Sequence, residues 1–140
     1  MVPASPASFI ATMKNSRILR LILCVIMAVF VSLQARAEVL KVVVNDTIQP
    51  ITAEYISRAI DLAQRRKAQA VLIEINTPGG LVSSTRDIIE KITSSPVPVI
   101  VYVTPTGGHA GSAGIFILES ADIAVMAPGT AAGASPVPGR

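Results

Sequence analysis

Short aliphatic runs alternate with amphipathic segments along most of this chain. The runs occupy residues 40–44, 71–75, 97–103 and 121–126, and two of the segments between them carry apolar residues at spacings of three and four. Strand–helix alternation of this kind places successive strands parallel in one sheet. The run 71–75 is almost continuously apolar, which is typical of a sheet covered on both faces. The sequence therefore predicts an α/β fold, with a mainly parallel sheet and flanking helices.

Local signals set the expected limits of the helices. Thr52 is expected to cap the first helix. The second is expected from about Ser84 to Thr93, because a proline follows at position 96. A third is expected over residues 110–118. Residues 127–140 are rich in Pro, Gly and Ala and carry little that could close a fold, so we expect the domain to be incomplete.

Residues 1–37 have the pattern of a secretory signal. A positively charged start is formed by Lys14, Arg17 and Arg20. The apolar run from Leu21 to Leu33 has 13 residues, fewer than the roughly 20 that cross a bilayer. Small residues flank Arg36, which predicts cleavage after Ala37 and export across the cytoplasmic membrane, leaving a domain over residues 38–140. The alternative is a retained N-terminal membrane anchor.

Charge and cysteine content exclude several classes of function. The net charge is +3, but four of the 12 basic residues precede Glu38, so the remainder has 8 basic and 9 acidic residues. That balance is not the basic footprint of a nucleic-acid-binding protein. Cys24 is the only cysteine and lies in the signal, which excludes disulfides, zinc thiolates and a cysteine nucleophile. No metal-ligand spacing or phosphate-binding P-loop is present, so no cofactor is expected.

Two loops after predicted strands have the composition of catalytic loops. Gly79 and Gly80 follow Pro78 and leave backbone N–H groups open to an anionic oxygen. Ser112 lies between Gly111 and Ala113 at a helix start, where small neighbours expose its Oγ and the helix favours developing negative charge. The alternatives are an ordinary Pro-Gly turn and a helix that needs small residues to pack closely on the sheet.

Together the loops resemble those of Clp-protease/crotonase-like serine peptidases, and in particular the NfeD family of membrane-bound serine proteases. The resembling region runs from about Val42 to Val137. It includes the stretches 73–80, 98–103, 110–114 and 126–130, and the last three, in that order and spacing, are specific to NfeD-like proteins. The resemblance implies that Ser112 is the nucleophile and that Gly79 and Gly80 form the oxyanion hole. It also implies a peptide or membrane-protein substrate, a stomatin-like partner and a homo-oligomer, on the extracytoplasmic face of the membrane.

The general base that the resemblance implies is a lysine about forty residues after the serine. Only 28 residues follow Ser112, none of them lysine. The available lysines, at positions 41, 67 and 91, are expected to be solvated. We therefore expect a serine endopeptidase whose base lies beyond residue 140.

Three alternatives stay open at this point. One is a catalytically inactive remnant or interaction module of the same fold. Another is a crotonase-type acyl-CoA enzyme, although the export signal argues against that function. His109, three residues before Ser112, is a further candidate base if the loop folds back, although Clp proteases carry their histidine after the serine. The sequence also departs from the pattern of the resembling family at Asn76, where relatives often carry aspartate.

Overall fold

The computed structural model describes residues 20–27 and 38–133. The chain divides into two units, Met1–Arg36 and Ala37–Arg140. Residues 20–27 are helical with exposed side chains, and the rest of the predicted signal, including its cleavage position, lies outside the described residues. In the described ranges, no helix combines the length and hydropathy that a bilayer crossing requires.

A four-stranded parallel sheet forms the centre of the second unit. Its strands are β1 (Val39–Val44), β2 (Ala70–Ile75), β3 (Val99–Val103) and β5 (Ile123–Met126). They lie in the spatial order β1-β2-β3-β5, which confirms the predicted mainly parallel sheet. Asp122 positions the last strand, because its Oδ2 accepts the N–H of Val99 at 2.8 Å. This carboxylate therefore has a structural role.

Three helices connect these strands: α1 (Pro50–Arg66), α2 (Val82–Thr93) and α3 (Ala113–Glu119). The prediction that Thr52 caps α1 is wrong, because the helix begins at Pro50, a first-turn position where the missing N–H costs nothing. Thr52 Oγ1 instead accepts the N–H of Gln49 at 3.4 Å from inside the first turn. The second helix likewise begins two residues before the predicted Ser84.

The core lies between the helices and one face of the sheet. Val42, Ile73 and Val101 are in register across three strands and are at most 1% exposed. Isoleucines from each helix pack against this row, and burying each such side chain stabilises the fold by roughly 2–3 kcal/mol. On the opposite face Leu72 and Glu74 stay half-buried in the described part of the chain. Among the described residues, the second face of β2 is therefore only partly covered.

A second, two-stranded parallel sheet was not predicted. It pairs β4 (His109–Gly111) with β6 (Ala131–Gly133). The third helix therefore begins at Ala113, and the prediction that it covers residues 110–118 is wrong at its start. Backbone contacts explain the difference, because Thr77 donates its N–H to the His109 carbonyl at 2.7 Å and accepts the Gly111 N–H at 2.8 Å. Both contacts join residues far apart in sequence.

Candidate active site

The loop after β2 and the segment that follows β4 meet beside Ser112. A Cβ placed on Gly79 would lie 3.6 Å from Ser112 Oγ and 3.0 Å from Ser112 Cβ. Gly79 has a φ of +131°, a conformation that residues with a Cβ rarely adopt. The structure therefore brings together the two loops that the sequence singles out, and glycine at position 79 permits the close approach.

Ser112 has a strained backbone and an exposed side chain. Its φ of 44° and ψ of −102° lie outside the regions that residues other than glycine favour, at a cost of about 1–3 kcal/mol. Its N–H donates to the Gly133 carbonyl at 3.1 Å, so β6 helps to hold the conformation. Strain of this kind clusters at catalytic and ligand-binding residues.

The small residues around Ser112 are also required for packing. A Cβ on Gly111 would lie 2.6 Å from the Pro78 carbonyl oxygen. A Cβ on Gly114 would lie 2.8 Å from Thr77 Cγ2. The packing explanation for this motif therefore holds alongside the catalytic one. Because Gly111 and Gly114 have no side chains, the start of α3 can lie close to the loop after β2.

The open N–H groups differ in part from those predicted. Gly79 donates its N–H to Thr77 Oγ1 at 3.2 Å, and Thr77 is buried at 1% exposure. Within the described residues, the N–H groups of Gly80 and Ala113 have no hydrogen-bond acceptor. Sequence reasoning missed Ala113, although the first N–H groups of any helix lack a partner inside that helix.

Asn76 connects three elements at this edge of the sheet. Its Nδ2 donates to Asn45 Oδ1, beyond the end of β1, at 2.8 Å. Its Oδ1 accepts the N–H of His109, the first residue of β4, at 2.9 Å. Asn76 therefore fixes the start of the short strand that leads to Ser112.

Replacing both amides with carboxylates should create a pH-dependent loss of stability. In either single variant, Asn45→Asp or Asn76→Asp, the remaining amide can donate to the new carboxylate, so we expect a change below about 0.5 kcal/mol. In the double variant two carboxylates face each other, and their repulsion raises the pKa of at least one in the folded state. The double variant should lose about 1–3 kcal/mol at pH 7 and regain it as the pH falls towards 4. Urea unfolding at both pH values measures this, and a double variant as stable as the singles at pH 7 would contradict it.

The described lysines lie away from Ser112. Lys41 Nζ pairs with Glu74 at 3.2 Å on the half-exposed face of the sheet. Lys91 Nζ pairs with Asp61 of α1 at 2.6 Å. Lys67 ends α1 with a φ of 54°. Lys41 and Lys91 are thus paired with carboxylates of other elements, and the general base stays a prediction.

His109 is half-buried, and its ring lies against Gly111. Its Cδ2 and Nε2 atoms would be 2.8 Å from a Cβ placed on that glycine. The hydrogen bonds among the described residues include none between the His109 ring and Ser112 Oγ.

No group of three or more potential metal ligands occurs in the part of the chain that the structure describes.

A cavity of about 340 Å³ opens beside Ser112, between α2 and α3. Its walls are mostly apolar side chains: Val82, Ile89 and Phe116. Ser112 and Ala113 line it as well, and so does Arg86 of α2. Ile89 is only half-buried because it faces this cavity.

Comparison with known proteins identifies related chains. Membrane-bound protease PH1510 of Pyrococcus horikoshii is 35% identical over 117 residues, which are 82% of this chain and 26% of that protein. Membrane protein NfeD1b of Bacillus subtilis is 38% identical over 110 residues, which are 76% of this chain and 24% of that protein. The chain thus spans about a quarter of the length of these curated relatives.

Solved structures share the fold. A variant of the N-terminal domain of the 1510 membrane-bound, stomatin-specific protease superposes with a TM-score of 0.68 at 36% identity, covering 75% of this chain and 51% of that one. ClpP1 from Listeria monocytogenes superposes with a TM-score of 0.58 at 28% identity, covering 64% and 52%. The expected Clp-protease-like fold is therefore confirmed. The model of the NfeD1b N-terminal domain family matches residues 38–139, and the chain belongs to that family.

Proposed function

We propose that this domain is the catalytic part of a serine endopeptidase, with Ser112 as its nucleophile. The observation that carries the proposal is the apposition of a strained, exposed Ser112 and the glycine loop after β2, where a Cβ on Gly79 would come within 3.6 Å of Ser112 Oγ. Membership in a family whose relatives include a protease supports it.

The first step is attack of Ser112 Oγ on a peptide carbonyl carbon. The Oγ–H proton passes to a general base, and the carbonyl oxygen becomes an oxyanion. The N–H groups of Gly80 and Ala113 have no acceptor among the described residues and line the cavity with Ser112, and we assign the oxyanion to them. The Gly79 N–H already donates to Thr77 Oγ1, so we assign it no bond to the oxyanion. Gly79 contributes to the site by leaving space for Ser112 and by positioning Gly80. Removing one such donor typically lowers kcat by a factor of about 100–1,000.

The remaining steps release the two products, first the amine and then the acid. The C–N bond breaks as the base returns its proton to the leaving amine, which leaves an ester between Ser112 and the acyl part of the peptide. Water then hydrolyses this ester by the same route. We assign the base to a lysine beyond residue 140, because Lys41 and Lys91 form ion pairs with other residues and Lys67 lies at the end of α1.

We further propose that the substrate is a segment of a membrane protein. The related 1510 protease is described as membrane-bound and stomatin-specific, and a variant of it was solved in complex with a substrate peptide. The apolar walls of the cavity beside Ser112 suit such a segment. The test is incubation of the protein expressed from its own gene with peptides from a stomatin-like protein. Cleavage at an apolar site supports the proposal, and intact peptides contradict it.

Replacing His109 with alanine should leave cleavage within about twofold of the wild type, since its ring makes no hydrogen bond to Ser112 in the described part of the chain. The bond that Asn76 makes is to the His109 backbone N–H and survives the substitution. The measurement is kcat/KM on one peptide at pH 7. Complete loss of activity would make His109 the base and remove the need for a lysine.

A second candidate, an interaction module without activity, is favoured by the positions of the lysines described above. It predicts that peptides bind to the protein but are never cleaved, in the wild type as in a Ser112→Ala variant.

A further inference from the structure

Among the described residues, Arg86 is the one charged side chain that lines the cavity beside Ser112. It lies on α2, is exposed, and shares the cavity with the apolar side chains of Val82, Ile89 and Phe116. A guanidinium next to apolar walls interacts with an opposite charge more strongly than one fully surrounded by water. Its position makes it a contact for whatever occupies the cavity.

No acidic side chain of this chain neutralises Arg86. All nine Asp and Glu residues lie between positions 38 and 122, within the described range. Four of them form ion pairs with other lysines and arginines, and Asp122 binds the N–H of Val99. Glu90 has the i,i+4 spacing that favours a pair on α2, yet its carboxylate is not within 4.0 Å of Arg86.

The geometry of a guanidinium matches that of a carboxylate. Its N–H groups can donate two parallel hydrogen bonds to the two oxygens, and such charge-assisted pairs are among the strongest in proteins. Peptides contribute carboxylates chiefly through Asp and Glu side chains. An acidic residue next to an apolar residue would complement the cavity, because the apolar side chain contacts its walls while the carboxylate reaches Arg86.

We infer that Arg86 determines specificity, by binding an acidic side chain of the substrate close to the bond that Ser112 attacks. This inference rests on the proposed function. It narrows the substrate to segments in which Asp or Glu lies within a few residues of an apolar cleavage site.

The test compares peptides that differ only in charge. Starting from one cleaved peptide, acetylated and amidated at its ends, each position within three residues of the cleaved bond is changed to Glu, Gln or Lys. For the wild type we expect Glu to exceed Gln at one position by about ten- to thirtyfold in kcat/KM, mainly through KM. Arg86→Ala should reduce this preference to within about twofold, and Arg86→Glu should favour Lys instead.

A matched control is Arg58→Ala, which removes an exposed arginine of α1 that pairs with Glu54 and should leave the charge preference intact. Equal rates for Glu and Gln at every position in the wild type would overturn the inference, as would an Arg86→Glu variant that still prefers Glu.

Binding of the same peptides to a Ser112→Ala variant separates this inference from the proposed function. Fluorescence anisotropy of labelled peptides should show the same Glu preference and its loss with Arg86→Ala. If that preference appears without any cleavage by the wild type, the protease proposal fails and the role of Arg86 stands. If the wild type cleaves peptides without a charge preference, the protease proposal stands and the role of Arg86 is overturned.

Discussion

Replacing Ser112 with alanine should reduce peptide cleavage by about a thousandfold or more, which makes it the largest effect on activity that we expect. The variant keeps the backbone but removes Oγ, the atom that attacks the carbonyl carbon. Stability should change by less than about 1 kcal/mol, because the Ser112 side chain is exposed and its backbone N–H still donates to the Gly133 carbonyl. The measurements are kcat/KM on a cleaved peptide and the urea midpoint, with the protein expressed from its own gene.

Ser83→Ala is the matched control for this prediction. Ser83 is exposed on α2, so the same chemical change there should leave cleavage within about twofold. Retained activity in the Ser112→Ala variant would exclude Ser112 as the nucleophile. A large loss of stability in that variant would assign its effect to folding.

Replacing Gly80 with alanine should produce the second large effect, in both stability and activity. The added Cβ would lie 2.1 Å from the Ile48 carbonyl oxygen and 2.6 Å from its Cα. Both are backbone atoms, so the chain itself must move. That carbonyl also accepts the N–H of Leu81 at 2.9 Å. We expect a loss of about 2–4 kcal/mol and at least a tenfold fall in kcat as the Gly80 N–H is displaced.

Gly107→Ala controls for backbone effects. Its Cβ would have no neighbour within 4 Å, although its φ of +83° also disfavours alanine, so it should cost about 1 kcal/mol and leave kcat unchanged. Urea unfolding and single-turnover cleavage of both variants make the comparison. Equal stability losses in the two would show that the contact with Ile48 is not rigid.

The parallel sheet was predictable because its signals are local. Each strand is a short aliphatic run, and Val42, Ile73 and Val101 lie in the core as the pattern of strands and helices predicts. The first helix begins three residues before the start that a Thr52 cap predicts, and the second begins two residues before Ser84. Several positions in a row can begin a helix, and packing selects among them.

The second sheet and the details of the site were not predictable in this way. Residues 109–111 and 131–133 are too short and too rich in glycine and alanine to indicate strands, and their pairing depends on contacts with Thr77 and with each other. The same holds for the open N–H of Ala113 and for Arg86 beside the cavity, because a linear sequence does not show which helix faces meet. The predicted signal over residues 1–37 and the expected homo-oligomer stay predictions.

The most direct test of the proposed catalytic role is whether Ser112 carries an activated hydroxyl. A fluorophosphonate probe reacts with serine hydroxyl groups that a base and an oxyanion hole have activated. The protein expressed from its own gene is treated with the probe at neutral pH, digested, and analysed by mass spectrometry for the labelled residue. We expect one adduct, on Ser112, that is absent after Ser112→Ala and weaker after Gly80→Ala. A wild-type protein that stays unlabelled at Ser112 under conditions that label a known serine protease would contradict this role.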